Sequence, residues 1–187
     1  MPTIAIIGAG PLGRWLALAA ARAGCKVLLE DVMPTNLHHA REVLRQEFGP
    51  GALPLVAFVS TIEDAVRDAD LAIDCVPDEL ESKLEIFWLL DRMAPPRTVL
   101  ATPTTRLSIS DLAACTYRPG KCVAIATEAS ELSGNGTSDL LIRTTLRTTA
   151  ETVGLVRVFW EQLGFTPRFE LDAAEPPAVL HSRPTAP

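Results

Sequence analysis

The sequence predicts an α/β fold: a doubly wound, mostly parallel sheet of about seven to eight strands with helices on both faces. Short apolar, β-rich runs alternate with helix-period segments along nearly the whole chain, the order that builds parallel βαβ units. The first such unit is complete within about thirty residues of the N-terminus. The chain has 187 residues, 48% hydrophobic and 21% charged, enough for one domain with a proper core.

Thr3–Ile7 is the first strand and leads into Gly8-Ala9-Gly10-Pro11-Leu12-Gly13. Leu12–Ala23 has helical period, and Gly24 is placed to cap its C-terminus. Lys26–Glu30 is a second, buried strand. Pro34–Phe48 is a helix, with Asp31 and Thr35 near its start and Gly49-Pro50-Gly51 as its breaker. Val56–Val59 is a strand, and Thr61–Ala69 a helix with Thr61 and Asp64 close to a capping box. Leu71–Val76 is the fourth strand. Asp78–Arg92 is a helix with an apolar face of Leu80, Leu84, Phe87 and Leu90, stopped by Pro95-Pro96. Thr98–Ala101 and Cys122–Ala126 are strands flanking a short helix, Ser108–Cys115. Ser133-Gly134-Asn135-Gly136-Thr137 is a loop, Leu140–Leu146 a strand, Thr149–Leu163 an amphipathic helix ending at Gly164, and Arg168–Leu171 the last strand. Residues 1–172 form one domain; 173–187, rich in Ala and Pro without periodicity, are expected to be a disordered tail.

Several function classes are disfavoured. Net charge is −6 and no Lys/Arg cluster exists, which argues against nucleic acid and anionic membrane surfaces as partners. No apolar stretch approaches the ~20 residues that span a bilayer, and no signal peptide is read; a cytoplasmic location is expected. Cys25, Cys75, Cys115 and Cys122 lack CxxC spacing and read as unpaired thiols in a reducing compartment. His38, His39 and His181 show no metal-ligand spacing, so no metal is expected.

The chemistry-bearing motif is Gly8-x-Gly10-x-x-Gly13, which follows a strand and opens a helix, the context a dinucleotide fingerprint requires. Gly8 permits the tight turn, Gly10 lets a pyrophosphate approach the backbone, and Gly13 lets helix pack on strand. Pro11 and Leu12 complete the loop; Pro11 suits a first helical turn but removes one N–H that could have faced phosphate. The helix N-terminus supplies N–H donors and a positive dipole end. Asp31, 18 residues past Gly13 at the end of the second strand, is placed for the adenosine ribose hydroxyls and repels a 2′-phosphate, which favours NAD over NADP. Glu30 is turned to the opposite face by strand alternation. A glycine-rich turn in a non-binding protein is the plain alternative. The fold is therefore read as Rossmann-type.

Later stretches resemble 3-hydroxyacyl-CoA dehydrogenases. Asp68-Ala69-Asp70-Leu71-Ala72-Ile73-Asp74-Cys75-Val76-Pro77-Asp78-Glu79-Leu80-Glu81-Ser82-Lys83 is similar to that family's "ADLVIEAVPEDLELK". Arg92-Met93-Ala94-Pro95-Pro96 through Leu100-Ala101-Thr102-Pro103-Thr104-Thr105-Arg106-Leu107-Ser108-Ile109-Ser110 is similar to "LAPPDAILASNTSSLSIT". The resemblance runs from Thr3 to Leu171. It implies NAD as cofactor and a cofactor contact by the Val76-Pro77-Asp78 turn. It also implies that Lys83 contacts the nucleotide and that Thr105 keeps a hydroxyl touching cofactor and substrate. Read alone, Asp78 could equally be a helix N-terminal acid and Lys83 a solvated helix residue.

Departures from the family pattern bear on catalysis. Ala126 stands where "GMHFFNP" has its histidine, and Ala cannot accept the substrate proton. Pro103 stands at the asparagine of "SNTS", and Ser138, beside Asp139, at the glutamate that orients the histidine. Glu128, Glu131 and Asp139 are the remaining acids of that region. Nothing after Asp172 resembles the "GFIVNR" opening of the family's helical C-terminal domain. No catalytic residue is assigned. The expected partners are NAD(H), with an acyl-CoA-like small molecule and a homodimer left open. Three readings follow: an NAD-binding protein without standard dehydrogenase activity, an oxidoreductase with an altered or partner-supplied catalytic site, and a non-catalytic interaction subunit.

Overall fold

A computed structural model describes residues 1–48, 55–127, 132 and 139–172. The Gly49-Pro50-Gly51 breaker, Glu128, Glu131, the loop from Ser133 to Thr137, Ser138 and the tail with His181 lie outside the described residues.

The strands are β1 (Thr3–Ile7), β2 (Lys26–Glu30), β3 (Val56–Val59), β4 (Leu71–Asp74), β5 (Val99–Pro103), β6 (Cys122–Ile125), β7 (Asp139–Thr144) and β8 (Thr166–Leu171). They form one sheet in the order β3-β2-β1-β4-β5-β6-β7-β8, parallel throughout except for the antiparallel β6–β7 pair. The order reverses between β1 and β4, and the crevice above that switch point is where an open α/β sheet binds ligands. The helices are α1 (Pro11–Arg22), α2 (Pro34–Phe48), α3 (Ile62–Val66), α4 (Leu80–Met93), α5 (Ile109–Ala114) and α6 (Ala150–Gln162), with a 3₁₀ turn at Pro119–Lys121.

Strand alternation divides the core between the two faces of the sheet. Ile4 and Ile6 pack with Leu16 and Ala20 of α1, Leu44 of α2 and Trp160 of α6. Ala5 and Ile7 pack on the other face with Val66 of α3, Phe87 and Leu90 of α4 and Leu112 of α5. Trp160 meets Phe159 of its own helix edge-to-face at 5.3 Å and ties α6 to the chain beyond it through Phe165 at 5.4 Å. Phe165 in turn meets Trp15 of α1 at 6.0 Å.

Local chemistry sets the element ends. Thr61 accepts the Asp64 N–H at 3.2 Å and donates its hydroxyl to the Asp64 carboxylate at 2.8 Å, closing the N-terminus of α3. Ser108 and Thr149 likewise accept the N–H three residues on, from Asp111 and Thr152, and cap α5 and α6. The structure corrects several expected bounds. The helix expected over Thr61–Ala69 stops at Val66, because Ala69 N–H turns to the Val66 carbonyl and starts the approach to β4. The last strand begins two residues before Arg168: β8 is a sheet edge, where Pro167 withholds no ladder donor that matters. Leu80, expected on the apolar face of α4, is 47% exposed; it is the first residue of the helix, and the buried stripe is Lys83, Phe87, Leu90 and Asp91. Asp78 lies before the Glu79 N-cap.

Trp160→Ala removes the side chain that joins α6 to α1, and should cost about 3–5 kcal/mol of stability. Urea unfolding followed by circular dichroism measures this; a loss below ~1 kcal/mol would mean that α6 packs independently of Trp160.

Candidate dinucleotide site

The β1–α1 turn is built by close approach. Gly8 has φ +101°, a conformation that disfavours side chains, and a Cβ there would lie 3.2 Å from the Cys75 carbonyl group. A Cβ on Gly13 would lie 1.9 Å from the Gly8 oxygen, so only glycine lets α1 sit this close to β1. Gly10 is different: a Cβ there would meet nothing within 4 Å. It is the N-cap of α1, no side chain caps it, and no acid lies in the first turn. The helix thus presents its N-terminus to open space, the arrangement that receives phosphate. Pro11 occupies the first position of the helix.

Asp31 closes one side. Its Oδ2 accepts the Ala9 N–H at 2.9 Å, tying the glycine turn to the end of β2, and its Oδ1 accepts the Met33 N–H at 2.8 Å. The Asn36 amide nitrogen donates to both oxygens at 3.1 Å. Exposed Val32 and Met33 flank the carboxylate. Glu30 faces away, on the Leu28 side of the sheet, and is 2% exposed with no partner for its Oε1. Burial first, and the Asp31 charge second, push its carboxyl up to about 7.

On the other side of the switch point, Leu12, Cys75, Val76, Asp78, Pro103, Thr104, Thr105 and Thr127 line a cavity of about 230 Å³. Thr104 holds the loop after β5: its hydroxyl accepts the Arg106 N–H at 3.3 Å and the Leu107 N–H at 3.0 Å. The Arg143 guanidinium donates to the Thr105 carbonyl at 3.3 Å, and Thr127 accepts the Leu141 N–H at 3.1 Å. Arg106 links the loops after β4 and β5, donating to the Asp78 carbonyl at 2.7 Å, with its Nε 3.6 Å from Asp78 Oδ2. Asp78 Oδ1 is enclosed and has no protein partner, an acceptor left over for a ligand donor such as a ribose hydroxyl.

Lys83 is 0% exposed, which overturns the solvated reading. Its ammonium donates to Thr102 Oγ1 at 2.8 Å and lies 3.3 Å from both Asp74 Oδ2 and the Val76 carbonyl. Thr102 donates on to Asp74 Oδ2 at 3.0 Å, and Val76 N–H donates to Asp74 Oδ1 at 3.0 Å. Burial pushes the Asp74 carboxyl up, against Lys83, the Val76 N–H and Thr102, which hold it down. The network underlies the Val76–Asp78 turn and is absent from the cavity lining.

Among the described residues the cavity lining contains no histidine; His38 and His39 stand on α2. Cys75 is no nucleophile, since burial pushes its thiol far up. Asp139 is engaged with Arg168 at 2.8 Å on the far edge of the sheet. No set of three or more metal-ligating side chains is gathered among the described residues, and none of their helices is long and apolar enough to cross a membrane.

The site therefore brings Gly8, Gly10, Pro11, Gly13 and Asp31 to one side of the crevice and Val76, Asp78 and Thr105 to the other, with Leu12 reaching across to line the same cavity as the second set. Glu30 faces away from the site as strand alternation predicts, whereas Asn36, Asp74, Thr102, Thr104 and Thr127 escaped the sequence reading; Asp74 and Thr102 carry a signal in their place within the two family-like stretches.

This is a Rossmann-type dinucleotide-binding site. The family model for the 3-hydroxyacyl-CoA dehydrogenase NAD binding domain matches residues 3–126, and the chain belongs to that family. A probable 3-hydroxybutyryl-CoA dehydrogenase of Bacillus subtilis is 30% identical over 135 residues, 65% of this chain and 47% of that protein. The L-carnitine dehydrogenase of Burkholderia mallei is 36% identical over 131 residues, 65% of this chain and 40% of that protein. The crystal structure of a 3-hydroxyacyl-CoA dehydrogenase from Archaeoglobus fulgidus superposes with a TM-score of 0.79 at 26% identity, covering 92% of this chain and 57% of that one. The chain spans about half the length of these relatives. NAD is the cofactor of the matched domain, and the open space at Gly10, the Asp31 carboxylate and the free Asp78 acceptor fit it.

The Glu30 carboxyl sets a pH dependence of stability. Its folded pKa of about 7 lies above the ordinary 4.5, so its protonated form stabilises the fold below pH 4.5, and that contribution is lost as pH rises through 7. Glu30→Gln should be more stable than the parent chain at pH 8 by about 1–3 kcal/mol, with the difference shrinking towards pH 5. Urea unfolding at the two pH values measures it; a difference independent of pH would show that Glu30 stays ionised in the fold.

Proposed function

We propose that this chain is an NAD(H)-binding protein without standard 3-hydroxyacyl-CoA dehydrogenase activity. The observation that carries the reading is an intact dinucleotide cradle beside a cavity whose described lining offers threonine hydroxyls and the Asp78 carboxylate but no histidine. In this reading Gly8, Gly10, Pro11, Leu12 and Gly13 hold the pyrophosphate, Asp31 the adenosine ribose, and Val76, Pro77, Asp78 and Thr105 the nicotinamide half. Lys83 acts from beneath, fixing the Val76–Asp78 turn through Asp74 and Thr102. Bound NAD supplies hydride acceptance. The chain supplies binding and orientation, but at Ala126 it has no base to take the proton that must leave a hydroxyl substrate as hydride departs. Four unpaired cysteines support a reducing, cytoplasmic location.

A second reading is an NAD-dependent oxidoreductase for a 3-hydroxyacyl-CoA or related hydroxy substrate, completed by another chain or a second copy. It is favoured by the threonine hydroxyls and the unpartnered Asp78 oxygen at the cavity, which leave polar groups open to a hydroxy substrate.

Calorimetric titration with NAD⁺, NADH and NADPH tests the cofactor reading. NAD⁺ or NADH should bind and NADPH should not. Asp31→Ala should weaken binding by at least about tenfold, as the loss of charge-assisted hydrogen bonds implies. Gly10→Ala should abolish binding while costing less than ~1 kcal/mol of stability, since its methyl enters open space. No binding at millimolar cofactor would leave the interaction-subunit reading.

Incubation with NAD⁺ and 3-hydroxybutyryl-CoA should give no NADH by absorbance. Turnover by the isolated chain would overturn the non-catalytic reading and favour the second.

A further inference from the structure

We propose that Asn36 is a latch on the adenosine-ribose site: its side-chain amide occupies the part of the Asp31 carboxylate that a ribose diol needs, and a nucleotide displaces it on binding. The inference rests on the NAD-binding reading of the site.

An ionised carboxylate has about four lone-pair positions. On Asp31 three protein donors engage both oxygens, and one of them, the Asn36 amide nitrogen, is shared between the two. Oδ2 accepts from Ala9 N–H at 2.9 Å and from Asn36 Nδ2 at 3.1 Å. Oδ1 accepts from Met33 N–H at 2.8 Å and from Asn36 Nδ2 at 3.1 Å. The amide must face the carboxylate with its nitrogen, because its oxygen would meet two acceptors. A ribose diol brings two hydroxyl donors of its own, so one set of protein donors has to leave.

These bonds are unequal in what their loss requires. Ala9 N–H is fixed by the glycine turn, whose neighbour Gly8 donates to the Glu30 carbonyl at 2.8 Å. Met33 N–H is fixed by the turn into α2, where the Met33 carbonyl accepts from both Asn36 and Leu37 N–H. Breaking either moves backbone. The Asn36 amide leaves by a side-chain rotation alone, and the residue is solvent-exposed, so its amide regains water on release. Asn36 therefore holds the carboxylate in place without cofactor and competes with the diol for it. The competition concerns only ligands with free ribose hydroxyls; the pyrophosphate contacts at Gly10 and the crevice beyond β4 lie elsewhere.

The test is calorimetric titration of the parent chain, Asn36→Ala and Asn36→Leu with NAD⁺, ADP and 2′,3′-dideoxy-ADP, each variant checked by thermal unfolding. Asn36→Leu keeps a side chain of similar size and good helix propensity without the amide, and serves if Asn36→Ala loosens the start of α2. Removing the amide should tighten NAD⁺ and ADP about three- to tenfold, the net worth of one or two released hydrogen bonds, and leave dideoxy-ADP unchanged. Binding by the variants where the parent chain shows none would support the latch more strongly still. Equal or weaker NAD⁺ binding by folded variants, beside a parent chain that binds, would overturn the latch and leave the cofactor reading standing. An equal gain with dideoxy-ADP would overturn it too, because the effect would not pass through the diol. Absence of NAD⁺ binding by parent and variants alike would remove the cofactor reading and the latch with it.

Discussion

The approach of α1 to β1 is the constraint on which the nucleotide end of this molecule depends. With 1.9 Å between a hypothetical Gly13 Cβ and the Gly8 oxygen, the helix can start where it does only if position 13 carries no side chain. That contact sets the N-terminus of α1 over the switch point and leaves the space before Gly10 clear. Asp31 then fastens the turn from the β2 side by accepting the Ala9 N–H, so one carboxylate closes the cradle and also shapes the start of α2. The fold and the site share these atoms, which is why neither can be described without the other.

Glu30 and Asp31 show how far one step along a strand can separate two carboxylates. Asp31 is surrounded by three donors at the mouth of the crevice, one of them shared by both oxygens. Glu30 is turned under the sheet, with one oxygen unpartnered and its proton held to about pH 7. Hydrogen bonds hold the one carboxylate in place at the crevice, while burial keeps the proton on the other up to about pH 7.

Much of this was legible in the sequence where short-range rules dominate. The glycine fingerprint, Gly24 after α1, Thr61 before α3 and the prolines after α4 mark their own places, because a positive φ, a capping hydroxyl or a missing N–H acts on the residue that carries it. Asp31 was readable by its distance from Gly13. What escaped depends on contacts made across the sheet. Lys83 sits at a helical position that composition alone would solvate, and only the arrival of Thr102 from β5, beside Asp74 on β4, explains its burial. Leu80 looked like part of an apolar face until the helix start fell on it. Asn36 follows Asp31 by five residues, a spacing no helix rule pairs, and they meet because the turn between β2 and α2 folds the chain back.

The Lys83–Asp74 pair has a consequence for how this sequence can drift. Each charge is tolerable in a dry interior only because the other is present, and removing one from such a pair costs about 3–5 kcal/mol, a large share of a small domain's stability. Exchange of both for apolar residues of matching volume is nearly neutral in energy, yet every single-residue path to it crosses a poorly folded intermediate. The two positions, nine residues apart on different elements, are therefore coupled in energy, and a change at either is felt through the other.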